Sequence, residues 1–324
     1  MTLAKSFTTQ WFASAYGATV SILLTFLFAR LLGPKIFGSY NYLLTLASLY
    51  AILQDGGFRT LIFRELTSPT FQEIKKSLVP ISIGHNILVT ITAGTIVGYG
   101  ISLFLLPANC NLKVFFKKLN PDVYKSLGSL LIIDMATLIY FKIDIVMLRH
   151  LGSGLEEVGF YSAGSRLLEG LIFMHLPFAT VLFREMRKRT KYPSDFIPYI
   201  LKLISFSVVF PIVIIPVGWF FSEEIIRLCY GVDFISASPL LNLLLISIIF
   251  MAPNLILTQA TLAIDREYFY AKITCVAALI NIGLNFYLIP VMGAKGAAIG
   301  TIITEGLVMI LTGGGIILWR KKWA

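Results

Sequence analysis

Apolar runs of about twenty residues recur along this chain, separated by short polar stretches. A helical run of that length crosses the ~30 Å hydrocarbon layer of a bilayer. Lipid offers no partner for backbone N–H and C=O groups, so such runs are driven into helices. They are Phe12–Leu32, Ile36–Leu53, Ile81–Leu106, Leu127–Leu148, Tyr161–Phe183, Pro198–Phe221, Leu240–Leu262, Phe269–Ile289 and Ala294–Leu318, which makes about nine spans by length. The expected fold class is an all-α polytopic membrane protein. Composition agrees: 57% of the 324 residues are hydrophobic and 14% charged, where soluble domains carry about 25% charged residues. A soluble chain could not hide that much apolar surface.

The net charge is +10, and the basic residues sit between the apolar runs. Arg184, Arg187, Lys188, Arg189 and Lys191 form the densest cluster, with Arg320-Lys321-Lys322 at the end and Lys113, Lys117, Lys118 and Lys125 in a short linker. Lys and Arg in short loops mark the cytoplasmic side. The expectation is a multi-pass protein of the cytoplasmic (inner) membrane, with membrane lipids as its surroundings and no nucleic-acid partner. Phe58–Lys76 reads as a loop with an interfacial helix. Met1–Gln10 lacks a secretory signal, so the first run should be a retained helix. Cys110, Cys229 and Cys275 show neither metal spacing nor a disulfide framework and read as packing residues. No Ser/His/Asp arrangement, Gly-rich phosphate loop or Cys/His metal spacing is present. Neither an enzyme nor a cofactor or metal site is expected.

Two runs carry ionisable groups where these are costly. Leu127–Leu148 contains Asp134, Lys142 and Asp144; Tyr161–Phe183 contains Arg166, Glu169 and His175. A bare charge at the bilayer centre costs several kcal/mol, so such groups should face protein or water. Lys142, Arg166 and His175 are the donors deep in the second half, and Arg30 ends the first run. Arg meets phosphate with a bidentate fork and Lys as a point charge. Arg166 and Glu169 share a helix face. Asp134 and Lys142 stand about 80° apart around their helix, and Lys142 and Asp144 nearly opposite. Charge on several sides suits a helix lining a cavity.

This points to a cationic cavity with Lys142, Arg166, His175 and Arg30 as substrate-binding residues. Asp134, Asp144 and Glu169 are then coupling or cavity carboxylates. Each has a plainer reading: Lys142 and Asp144 snorkelling to the interface, Arg166–Glu169 as a structural ion pair, His175 as a packing residue. Gln259, Asn281 and Asn285 read as interhelical hydrogen-bonding groups, and Gly94-x-x-x-Gly98 and Gly296-x-x-x-Gly300 as close-packing faces. Pro177, Pro211, Pro216 and Pro253 read as kinks, or as hinges.

Two loops resemble each other. Arg30-Leu31-Leu32-Gly33 precedes Phe37-Gly38-Ser39-Tyr40, and Arg149-His150-Leu151-Gly152 precedes Gly159-Phe160-Tyr161. Used twice, the pattern suggests two related lobes. Loops on one membrane face need an even number of crossings between them. Three expected spans lie there, so either helices are missing from a short first lobe, the preferred reading, or Ile81–Leu106 is a re-entrant hairpin bent near Gly98-Tyr99-Gly100.

On these stretches the chain resembles the polysaccharide (O-antigen type) flippases of the multidrug/oligosaccharidyl-lipid/polysaccharide exporter superfamily. The resemblance rests on Ala29-Arg30-Leu31-Leu32-Gly33-Pro34 with Phe37-Gly38, and on Phe141-Lys142-Ile143-Asp144-Ile145-Val146-Met147-Leu148. It continues through Val158-Gly159-Phe160-Tyr161-Ser162-Ala163 with Arg166-Leu167. Its last stretches are Asn281-Ile282-Gly283-Leu284-Asn285, Leu288-Ile289-Pro290 and Gly293-Ala294-Lys295-Gly296-Ala297-Ala298. It implies two lobes around a central cavity: a shortened N-terminal lobe over residues 1–106, a basic linker over 107–125, and a complete six-helix C-terminal lobe over 126–324. It implies alternating-access flipping of a polyprenyl diphosphate-linked oligosaccharide during polysaccharide (lipopolysaccharide, O-antigen) biosynthesis. The implied partners are that lipid-linked oligosaccharide and the polysaccharide polymerase and glycosyltransferases of the same pathway. A small-molecule or drug exporter of the same superfamily, and a shortened, non-transporting or homo-oligomeric remnant, stay open as alternatives.

Overall fold

The computed structural model describes residues 3–55, 121–152, 154–173, 176–190 and 193–320. Among these, every regular element is helical. In chain order they are α1 (Leu3–Asp55), α2 (Pro121–Leu151), α3 (Leu155–Phe173), α4 (Leu176–Arg189), α5 (Pro193–Ser207), α6 (Val209–Phe220) and α7 (Ser222–Tyr230). A 3-10 turn (Val232–Ala237) leads into α8 (Ser238–Ile246), α9 (Ile248–Ala263), α10 (Glu267–Met292) and α11 (Ala294–Arg320). The chain divides into two compact units, residues 1–54 with 132–324, and residues 55–131. Of the second, only Asp55 and the start of α2 are described. His175, the expected span Ile81–Leu106, the segment Phe58–Lys76 and the linker as far as residue 120 lie outside the described residues.

Among the described residues four helical stretches are long and apolar enough to cross a membrane: Ser21–Leu49, Ser194–Phe220, Glu267–Met292 and Ala294–Leu318. Val232–Ile246 with Ile248–Ala263, bent by 43°, adds a fifth if the pair forms one span. The described residues thus form an all-α protein built for a membrane. The charged runs in α2 and α3 are helical but are not among these apolar stretches.

α1 is two helical limbs. Gly33 breaks it with φ 69 and ψ 170, a backbone region open to glycine at little cost, and Pro34 starts the second limb, where a missing N–H does no harm. Contacts along α3 show that the limbs reverse: the Ile22 side chain lies over Gly170, Pro34 lies against Gly159, and Asn41 meets Arg166. One limb therefore runs antiparallel to α3 and the other parallel. The expected turn at Gly33-Pro34 is in place, and the apolar stretch Ser21–Leu49 runs through it.

The two similar loops meet. Gly38 packs on the backbone of Leu155 and Gly159 on the carbonyl of Pro34, each so closely that a Cβ would overlap it. The two glycines set the approach of α1 to α3, and they place both loops at one level. Around them Phe37, fully buried, stands with Tyr230 and Phe234 at ring-centroid distances of 6.1 and 5.6 Å. Phe26 meets Tyr230 edge-on at 5.1 Å. Leu148, Val158 and Tyr161 complete that core.

The breaks in the helices have local causes. Pro211 has no N–H to give the Ser207 carbonyl, and the chain breaks between α5 and α6 at that level. Pro253 was expected to kink its span; instead it sits inside α9, and the 43° bend lies earlier, between α8 and α9 at Ser247. There the Ser247 hydroxyl donates to Leu244 O at 2.6 Å and its N–H to the same carbonyl at 3.0 Å. Back-bonding of this kind tightens and bends a helix. The run Tyr161–Phe183, expected as one span, is shared between α3, which ends at Phe173, and α4, which starts at Leu176.

α10 and α11 reverse at Gly293, φ 60, and pack closely. A Cβ on Gly296 would strike the Leu288 carbonyl, and one on Gly300 would come within 2.6 Å of Asn285 Oδ1. Asn281 Nδ2 donates to Thr304 Oγ1 at 3.3 Å and Asn285 Nδ2 to Asn281 Oδ1 at 3.0 Å. The small-residue face and the Asn281 contact fall where the sequence puts them, whereas Asn285, expected to bond across helices, donates to Asn281 of its own helix.

Candidate functional site

Three of the seven expected site residues form one network. Lys142 Nζ on α2 donates to Glu169 Oε1 on α3 at 2.5 Å. Arg166 Nη1 donates to Glu169 Oε2 at 3.1 Å. The Arg166 Nε and Nη2 groups reach back to Asn41 Oδ1 on α1 at 3.3 and 3.2 Å. Helical spacing explains the first pairing within α3, since residues three apart share a face. The crossing of α2 over α3 supplies the second cation, and the second limb of α1 supplies the amide.

The network is neither sealed nor bare. The side chains of Lys142, Arg166 and Glu169 are 16, 26 and 25% exposed. Two cations share one carboxylate, and the buried Asp144 carboxyl lies near enough to act on Lys142 as well. Charge held at membrane depth is tolerable only beside protein or water.

Asp144 points elsewhere. It is 3% exposed, accepts the Tyr161 hydroxyl, and also accepts the Ile145 N–H at 2.8 Å. The Tyr161 hydroxyl lies 3.5 Å from Thr301 Oγ1 on α11. Asp144 thus ties α2, α3 and α11 together from inside. Lys142 and Asp144, expected nearly opposite one another around α2, both bond to α3, Lys142 to Glu169 and Asp144 to Tyr161. Asp134 is partly buried on α2. Arg30 is remote from Lys142 and Arg166 in its bonding: its guanidinium donates to the carbonyls of Leu228 and of Cys229, the latter at 3.3 Å. It closes the C-terminal end of α7, whose last carbonyls have no helical donors.

Two cavities open elsewhere. One of about 420 Å³ lies among Thr261, Ile264, Arg266, Phe269, Gly315 and Leu318. Another of about 590 Å³ lies beside Glu157, Pro290, Gly293 and Lys295. Neither contains Lys142, Arg166, Glu169 or Arg30, so the expected cationic hollow is not among these cavities. No group of three or more metal-ligating side chains occurs among the described residues.

The basic end of α4 is bonded to its neighbours. Arg187 Nη1 donates to Ala263 O at 2.6 Å and to Asp265 Oδ2 at 2.5 Å. The Arg189 guanidinium lies 4.2 Å from the centre of the Tyr199 ring. The Lys188 ammonium, 2.8 Å from Glu185, holds that carboxyl below the usual carboxylate range. At the other end of α5–α6, burial pushes the Tyr230 phenol well up, and its hydroxyl donates to Ala163 O at 3.0 Å.

One functional candidate escaped the sequence reading. Glu305 on α11 is 2% exposed and accepts Asn254 Nδ2 of α9 at 2.7 Å. Its signal was present: a lone carboxylate in an otherwise apolar run is itself a candidate site.

No protein-family model, curated protein or solved structure matches the chain.

Proposed function

We propose that this protein is a membrane transporter that flips a polyprenyl diphosphate-linked oligosaccharide across the cytoplasmic membrane by alternating access. The observation that carries the reading is the Lys142–Glu169–Arg166–Asn41 network. It is partly exposed, and it gathers two cations on one carboxylate. A diphosphate head is an anion that takes Arg bidentately and Lys as a point charge. In this reading an arriving diphosphate competes with Glu169 for both cations, so the ion pairs are the resting state of the site. The resemblance in the loops and in the last two helices supports the same reading, with about nine spans arranged as a short first lobe and a full second one. The meeting of Gly38 with Gly159's helix fits a repeated loop used at one membrane face.

Export of surface polysaccharide in a deletion strain, complemented by variants, tests this. Lys142→Ala and Arg166→Ala should each abolish export while the protein stays in the membrane at normal level. Unchanged export in both would refute it. A second reading, a framework that moves nothing, is favoured by the pairing of Lys142 and Arg166 with Glu169 and by Arg30's bonding to α7. It predicts that deletion leaves export intact.

A further inference from the structure

Glu305 lies midway along α11 with its carboxyl enclosed by four helices. Asn254 of α9 donates from Nδ2 to both Oε2, at 2.7 Å, and the Glu305 backbone carbonyl, at 3.0 Å. The titratable groups that face it are Tyr140 of α2, whose hydroxyl is directed at the Glu305 carboxyl as a donor, and Tyr270 of α10. Both are 5% exposed, and the Tyr270 hydroxyl accepts from Thr258 of α9 at 2.9 Å. Among the described residues no Lys, Arg or His pairs with Glu305; Lys142, the cation on α2, is held by Glu169.

Two buried atoms at this contact have no hydrogen-bond partner: Glu305 Oε1 and Asn254 Oδ1. Both are acceptors if the carboxyl is ionised. Buried polar atoms in folded proteins are almost always paired, so beyond the Asn254 amide and the Tyr140 hydroxyl the site wants one more donor, between Oε1 and Oδ1. An ionised carboxylate here would also carry the full penalty of an uncompensated charge in a low-dielectric interior. A metal cation meets the need poorly. Hard cations take roughly six or more oxygen ligands, and two unmet oxygens are on offer. One proton on Oε1 meets it directly: the acid O–H becomes the missing donor, and the unserved amide oxygen belongs to the side chain already bonded to Oε2.

We propose that Glu305 is a proton-binding site, neutral while α9 and α11 are packed together and able to exchange its proton only when those helices part and water reaches it. The claim does not depend on what the protein moves. If the transport reading holds, the same site ties proton uptake and release to separation of α9 from α11.

Infrared spectroscopy of the purified protein at neutral pH, in water and in heavy water, tests this. The wild type should show the carbonyl stretch of a protonated carboxyl in an apolar site, shifted by deuterium. Glu305→Gln should lose that band completely and keep its helical content, because glutamine has the same shape and can serve both orphaned atoms. A wild-type spectrum without the band, or a band that survives Glu305→Gln, overturns the proposal. So does thermal stabilisation by sodium, potassium, magnesium or calcium that Glu305→Gln abolishes. If Glu305→Gln fails to fold, Asn254→Leu must keep the band and raise its frequency, since the acid loses its acceptor; an unmoved band overturns the proposal equally.

Discussion

Replacing Glu169 by glutamine keeps its shape and removes the one negative charge that Lys142 and Arg166 share. Before the change the carboxylate accepts Lys142 at 2.5 Å and Arg166 at 3.1 Å. Afterwards two cations stand together with only the Asn41 amide oxygen, already bonded to Arg166. A hydrogen bond to a charged group contributes about 1.5–3 kcal/mol, and an exposed ion pair at most ~1 kcal/mol. Breaking a fully buried pair costs ~3–5 kcal/mol. With 16 to 26% of each side chain exposed, the network sits between these limits. We expect Glu169→Gln to destabilise by about 2–3 kcal/mol, which lowers the melting temperature by roughly 3–4 °C for a chain of this length. Lys142→Gln alone should cost about 1 kcal/mol, since Arg166 keeps the carboxylate satisfied. The double variant should fall short of the sum by ~1–2 kcal/mol, because contacting residues in one network are not additive. Thermal unfolding of detergent-solubilised single and double variants measures all three. A loss below ~0.5 kcal/mol for Glu169→Gln, or strict additivity with Lys142→Gln, would show that the charges are held independently and would refute the reasoning.

The glycine contacts make a second test: Gly159→Ala and Gly38→Ala should each destabilise by ~1–3 kcal/mol, whereas Gly128→Ala, where a Cβ meets nothing within 4 Å, should not; equal effects at the three sites would contradict the close approach. Glu157 Oε1 accepts the Ala294 N–H at 2.7 Å and so caps the start of α11, and Glu157→Ala should cost about 1 kcal/mol in the same melting assay. Arg187 and Asp265 are about half exposed, at 46 and 49%, so Asp265→Asn should cost at most ~1 kcal/mol and the difference should fade in high salt. Arg30→Met should loosen the end of α7 by about 1 kcal/mol while leaving polysaccharide export unchanged; lost export in a stable Arg30→Met protein would return that residue to the site.

What the amino-acid order determined by itself is the helical class and much of the chain's punctuation. An apolar run of about twenty residues in lipid has no way to satisfy its backbone except as a helix, so the helices follow from composition and length. Gly33-Pro34 was legible as a turn because only glycine enters that backbone region cheaply and proline starts a helix without loss. Gly296-x-x-x-Gly300 was legible as a packing face because two glycines one turn apart leave a groove on one side of a helix. Arg166 and Glu169 were legible as a pair because their spacing is local.

The tertiary structure decided everything that depends on which helix lies beside which. Sequence spacing separated Lys142 from Glu169, and only the packing of α2 against α3 turned the two into partners. Arg30 looked like a phosphate ligand from its charge, yet the reversal of α1 carries it to the carbonyls at the end of α7. The bend between α8 and α9 fell at Ser247 and not at Pro253 because a hydroxyl returning to its own helix competes for the same carbonyl as the backbone does. Glu305 passed unread for the same reason: a carboxyl's chemistry is set by its neighbours, and Asn254, Tyr140 and Tyr270 come from three other helices. Residue type gives a side chain its charge and its donors, but burial and partners decide whether that charge is kept, and both arise only once distant segments have packed.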